Sequence, residues 1–175
     1  MIQATLTNKQ ILRLFDSLNA ELRNADIRGE LYLVGGAVMC LVYNARASTR
    51  DVDAWFKPGK AIREAAARVG LREGVAANWL NDGVKGYLGE SAAFSPFLAL
   101  SNLNVMTAQP EYLLAMKCLS MRIGEEFHDL DDIRYLLRTL NIDEYDKAVD
   151  VISRYYPLEQ FPQKTLYALE ELCGN

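Results

Sequence analysis

Two glycines, a short polar loop and two aspartates are the residues of this chain whose types and spacing can do chemistry. All lie in the segment Leu31–Phe56, LYLVGGAVMCLVYNARASTRDVDAWF. One residue separates Asp51 from Asp53. On an extended strand, a period of two sends both carboxylates to one face, about 6.5–7 Å apart at Cα. Two hard oxygen ligands at that spacing can hold Mg²⁺ together with phosphate oxygens, because Mg²⁺ is commonly bound by one or two carboxylates plus substrate phosphates. Gly35-Gly36 lets the backbone approach a ligand and presents N–H groups to an anion. The loop between carries Arg46, Ser48, Thr49 and Arg50. Phosphoryl-type transfer needs in-line geometry and neutralised charge, which a metal with Lys or Arg supplies. A carboxylate beside the metal can take the proton of an attacking hydroxyl.

Composition narrows the alternatives. The chain has 175 residues, half of them apolar and 24% charged, which is a globular composition for one domain. It has one histidine, His128, and three cysteines, Cys40, Cys118 and Cys173, far apart. A His-rich metal cage, a zinc ribbon and a thioredoxin-type site are therefore excluded. The formal charge is −4, which argues against a surface built wholly to grip nucleic acid. The charge is uneven: residues 1–109 hold 12 basic and 10 acidic groups, and residues 110–175 hold 7 and 13. A local basic cleft is possible in the first part only. The longest strongly apolar stretch, Leu31 to Tyr43, is 13 residues with two glycines, too short to span a bilayer. MIQATLTNKQ lacks the basic start and apolar run of a signal peptide. With unpaired cysteines, this predicts a cytoplasmic protein with no membrane partner.

The elements that must position these residues follow from periodicity. Thr7 caps a first helix, with Gln10 at the capping-box position and Ile11, Leu14, Phe15, Leu18 and Leu22 at helical spacing. Asp26 to Gly29 is a break. Glu30–Val34 reads as a strand ending at Gly35-Gly36, and Ala37–Tyr43 as a short buried helix. Asn44–Arg50 is a polar connection. Asp51–Phe56 alternates as a second strand, with Val52, Ala54 and Phe56 on one face and Asp51, Asp53 and Trp55 on the other. Pro58-Gly59 turns into a helix from Lys60 to about Leu71. Residues 73–90 are looser and glycine-rich. A third strand is expected at Leu103–Thr107. Helices follow at 110–123, with Pro110 at a first helical position, and at 129–139, 143–154 and 163–173. The expectation is α/β (α+β): a small mixed β-sheet flanked by helices over residues 1–109, then a helical C-terminal part over 110–175 packed on it.

The order strand, GG, helix, RxSTxDxD, strand resembles the nucleotidyltransferase fold of the DNA polymerase β superfamily. The likeness is closer to a small bacterial branch that includes AbiEii-type toxins. It extends to Trp79-Leu-Asn-Asp82, the run Glu111–Lys117, Arg122 and Asp129-x-Asp-Asp132. The resemblance implies transfer of a nucleoside monophosphate from an NTP to a hydroxyl of RNA, a protein or a small molecule, with release of pyrophosphate. It implies that Gly35 and Gly36 line the triphosphate, with Arg46, Ser48 and Thr49 near phosphate. Asp51 and Asp53 would hold Mg²⁺, or Mn²⁺ in its place. Lys117 and an aspartate of the 129–132 group, Asp132 preferred, would face the same cleft. It also admits a toxin with an antitoxin partner. One departure stands out: superfamily members often have a third carboxylate on a later strand, and no Asp or Glu occurs from Ser91 to Pro110. Asn102 and Asn104 are its only neutral analogues there. Asp82 or the Asp129–Asp132 group could substitute, the metal could arrive only with nucleotide, or the domain could bind nucleotide without efficient turnover.

Several residues have plainer readings. Gly35-Gly36 alone suits a simple turn, and Asp51 with Asp53 alone suits an exposed edge. Lys117 can be a snorkelling surface lysine. Asp129, Asp131 and Asp132 suit a helix start through the macrodipole. His128 and the cysteines read as structural, and Trp55 and Trp79 as core or pocket wall.

Overall fold

A computed structural model of the chain describes residues 4–122, 124 and 127–174. Among the described residues, those of 1–86 and 94–108 form one compact unit, and those of 87–93 and 109–175 a second. The architecture is mixed α/β, with seven α-helices, a five-stranded mixed sheet and a two-stranded sheet among the described residues.

The first unit begins with β1 (Leu6–Thr7) and α1 (Asn8–Asn24). Both halves of the capping box are made. The Thr7 hydroxyl accepts from the Gln10 N–H at 3.3 Å, and Gln10 Oε1 accepts from the Thr7 N–H at 2.8 Å. Next come β2 (Gly29–Val34), α2 (Gly35–Leu41), β3 (Ser48–Thr49), β4 (Val52–Lys57) and α3 (Gly59–Glu73). Helix α3 stops where Gly74 takes φ +74°, the left-handed conformation that glycine adopts without a Cβ penalty. Strands β5 (Leu80–Asn81), β6 (Phe94–Ala99) and β7 (Leu103–Ala108) complete the unit, with a 3₁₀ turn at Gly83–Tyr87 after β5.

The large sheet has the order β5-β4-β2-β7-β6. Strand β2 is central, antiparallel to β4 and parallel to β7. Alternation along the strands divides the sheet into two faces. Leu31, Leu33, Val52, Ala54, Phe56, Leu103 and Val105 are buried with Ile11, Leu14, Phe15, Leu18 and Leu22 of α1 and Ile62, Ala65, Ala66 and Val69 of α3. Each large apolar side chain so buried contributes about 1.5–3 kcal/mol. The other face carries Tyr32, Asp53 and Trp55, all half-buried.

Strands β1, β3, β5 and β6 were not expected. Three of them are two residues long, too short for periodicity to register. Strand β6 contains Pro96 and a register shift between Pro96 and Leu98. Its place at the sheet edge tolerates the missing N–H. The glycine pair also differs from expectation, because both glycines lie inside the first turn of α2.

The second unit holds α4 (Pro110–Leu119), α5 (Asp129–Thr139), α6 (Tyr145–Ser153) and α7 (Gln163–Cys173). Pro110 is at a first helical position as expected. Helix α4 ends at Leu119, short of 123, and residue 123 lies outside the described residues. Tyr112, Leu113, Leu114, Ile133, Leu136, Ala148, Ile152 and Leu169 are buried in this unit. The Tyr156 hydroxyl donates to the Tyr87 carbonyl, which ties residues 87–93 to it.

Candidate active site

The site grows from the antiparallel pairing of β2 with β4. Their register sets Val34 opposite Asp53, so the chain leaves β2 beside the first carboxylate of β4. The next residue, Gly35, has φ +68°, a left-handed conformation suited to glycine. A Cβ on Gly35 would lie 3.0 Å from Asp53 Oδ2. A Cβ on Gly36 would lie 2.7 Å from both Arg46 Nη1 and Thr49 Oγ1. The two glycines thus serve the chain's own side chains: a carboxylate, a guanidinium and a hydroxyl all reach the backbone of this turn. Gly35, Gly36, Arg46, Thr49 and Asp53 are brought together as expected.

Thr49 is buried at 8% exposure, and its hydroxyl donates to the Asp51 carbonyl at 3.3 Å. Ser48 is the neighbour of Thr49 in β3, where it pairs with Thr7. Alternation along β3 turns it to the opposite side from Thr49.

Asp51 lies just before β4, not within it. Its Oδ2 accepts from Asn81 Nδ2 at 2.8 Å. Asn81 stands in register with Asp53 across the parallel pair β4–β5. Sequence reasoning missed this residue as part of the site, since strand register is a non-local property; only its place in the Trp79–Asp82 run hinted at it. Asp82, one residue on, pairs instead with Arg63 of α3 at 2.6 Å.

On the same sheet face, Trp55 stands opposite Tyr32 across the β2–β4 pair, with ring centroids 4.9 Å apart. Phe94 packs edge-on to Tyr32 at 5.2 Å. Tyr32 donates to Glu30, and Lys57 pairs with Glu30 at 3.1 Å. Hydrogen bonding to Glu30 raises the Tyr32 pKa, and hydrogen bonds from Tyr32 and Lys57 hold the Glu30 carboxyl below its ordinary range. Trp79 is core, with its indole N–H donating to the Ala66 carbonyl at 2.8 Å.

The other expected residues form a cluster within the second unit. Lys117 of α4 is 7% exposed, with Asp129 and Asp132 of α5 at 3% and 2%. The Lys117 ammonium lies 2.6 Å from Asp132 Oδ2 and 3.3 Å from Asp129 Oδ1. Arg122 donates to Asp129 Oδ2 through its backbone N–H at 2.9 Å and its Nε at 3.0 Å. Burial acts to raise the Asp129 pKa, but Arg122 and Lys117 outweigh it and hold the carboxyl below its ordinary value. Among the described residues two cations face two carboxylates here, the kind of pairing by which buried charges are tolerated. The snorkelling reading of Lys117 is thus corrected, because its ammonium is buried among carboxylates.

Cys40 and Cys118 are buried thiols, and burial pushes the Cys118 thiol pKa up. Among the described residues, no group of three or more His, Cys, Asp or Glu is arranged to hold a metal ion. The donor set near the glycine turn is Asp51 and Asp53, flanked by an amide and a guanidinium. It suits Mg²⁺ that arrives with phosphate oxygens, because that ion needs only one or two carboxylates from protein. Among the described residues, no helix is long and apolar enough to cross a membrane. In comparisons with known proteins, no family model, no curated protein and no solved structure matches the chain.

Proposed function

We propose that the first unit is a nucleotidyltransferase module that uses Mg²⁺ to transfer a nucleoside monophosphate from an NTP to a hydroxyl acceptor. The observation that carries this reading is the convergence at Gly35-Gly36. A guanidinium, a hydroxyl and a carboxylate that meet at a side-chain-free turn make a place for a phosphate chain and its counter-ion. Helix α2 is only seven residues long, so its dipole adds little; the anion contacts belong to Arg46 and Thr49. Arg46 offers the planar, bidentate donor pair that suits phosphate. Thr49 is fixed by β3, and its one hydroxyl proton turns from the Asp51 carbonyl to phosphate when the anion binds. Asp51 and Asp53 are the ligands for Mg²⁺, which when bound neutralises charge on the transferred phosphate. A carboxylate of this pair also accepts the proton of the acceptor hydroxyl.

Lys117 and Asp132 have a structural task first in this account. Their charges neutralise one another inside the second unit. Asn81, standing beside Asp53 where a third carboxylate would complete a three-acid site, favours a second reading: a domain that binds Mg²⁺–NTP with little turnover.

Calorimetric titration of NTP in the presence of Mg²⁺ tests the shared premise. The reading expects binding that weakens by tenfold or more in Arg46→Gln, as expected for a lost charged hydrogen bond of about 1.5–3 kcal/mol. Equal binding by both proteins would contradict the placement of phosphate at Arg46. Pyrophosphate release in the same samples separates the catalytic reading from the binding-only one.

A further inference from the structure

We propose that Asn81 is a positioning residue for Asp51, and that it stands in place of a carboxylate so that the site keeps only two acids beside Arg46 and packs without a metal ion. The inference rests on the nucleotidyltransferase reading for its purpose, and on geometry for its content.

Four observations define the role. Strand β5 runs parallel to β4 and sets Asn81 beside Asp53, so both side chains rise from the same sheet face. The Asn81 amide nitrogen donates to Asp51 Oδ2 at 2.8 Å. Its other end is also occupied, because Oδ1 accepts from the Gly83 N–H at 3.2 Å. The amide therefore cannot flip without losing both bonds. Finally, β5 is anchored at the residue that precedes it: the Val52 N–H donates to the Trp79 carbonyl at 2.7 Å, and the buried Trp79 indole is itself bonded to Ala66.

A turn-forming role alone explains only the Gly83 bond. An aspartate would serve that bond as well, since its carboxylate also accepts. The bond to Asp51 is different, because only a donor can make it. Aspartate at 81 would bring a second carboxylate oxygen against Asp51 Oδ2 and a third acid beside Asp53. Like charges at hydrogen-bond distance repel unless a cation lies between them. Asparagine thus helps to hold Asp51 in place with no metal bound, and the metal ion can come and go with its nucleotide.

The experiment is a set of thermal melts of the full chain in chelator and in a Mn²⁺ titration, without nucleotide. Asn81→Asp should melt several degrees below wild type in chelator. Mn²⁺ should raise its melting temperature at about tenfold lower concentration than for wild type, because added ligand charge tightens a divalent site. The double variant Asn81→Asp with Asp51→Asn re-creates an amide–carboxylate pair with its polarity reversed. It should recover wild-type melting in chelator and lose the enhanced Mn²⁺ response. Asn81→Asp melting like wild type in chelator would overturn the proposal, and so would an unchanged Mn²⁺ response. If the single variant fails to fold, the double variant decides alone: restored folding supports the pairing, and continued failure overturns it. No NTP or acceptor enters these melts, so their failure is distinct from a failure of nucleotidyl transfer.

Discussion

Gly36 is where a single methyl group would meet the most opposition. It would arrive 2.7 Å from both the Arg46 guanidinium and the Thr49 hydroxyl. Arg46 ends a flexible side chain and can move aside, whereas Thr49 is tied into β3. Gly36→Ala is therefore expected to fold with a loss of about 1–3 kcal/mol, the usual range for overpacking. NTP affinity should fall with it, because the displaced guanidinium is the proposed phosphate donor. Urea denaturation and calorimetry on one preparation measure both effects. Lys117 makes the contrasting case. Lys117→Met removes the ammonium that lies against both Asp129 and Asp132, and removal of one partner from such a cluster costs about 3–5 kcal/mol. Denaturant melts should show that loss whether or not nucleotide is present. Asp129 adds a pH dependence. Its folded-state pKa is held below the unfolded value by Arg122 and Lys117. Its contribution is thus fully present above the unfolded carboxyl pKa of about 3.9 and is lost as pH falls through the lower folded value. Acid melts of Asp129→Asn should show a shallower fall in stability below about pH 4 than wild type.

The elements show what could be read in advance and what could not. Helix α1 announced itself through Thr7 and Gln10 because a capping box is local, and α5 and α7 through apolar spacing. Thr7→Ala should cost about 1 kcal/mol by denaturation, the ordinary value of a lost N-cap. The alternation of Asp51–Phe56 placed Val52, Ala54 and Phe56 inward and Asp53 and Trp55 on the other face, as β4 has them. Convergence on the glycine turn was legible as a list of residues. That the glycines accommodate the chain's own Arg46, Thr49 and Asp53 was not legible, since it depends on the Val34–Asp53 register. The same limit hid Asn81. A two-residue strand has no period, and its partner lies 28 residues earlier, at Asp53. The edge strand β6 escaped notice because Pro96 argues against a strand everywhere except at an edge.

At the scale of the whole molecule, charge is unevenly divided along the chain. The first 109 residues are slightly basic, and they hold the glycine turn with Arg46. The rest is acidic, and among its described residues Lys117 and Arg122 pair with Asp129 and Asp132. The scarcity of histidine and the scatter of cysteines fit a chemistry carried by aspartates and a divalent ion that comes with its substrate. Nothing in that chemistry requires a thiol or an imidazole. The most direct measurement is label transfer: the protein with each α-labelled NTP, Mg²⁺ and a cell extract as acceptor source. The account predicts that label from at least one NTP becomes attached to an acceptor, and that Asp51→Ala with Asp53→Ala abolishes it. Label that persists in the double variant, or no transfer from any NTP, would contradict it.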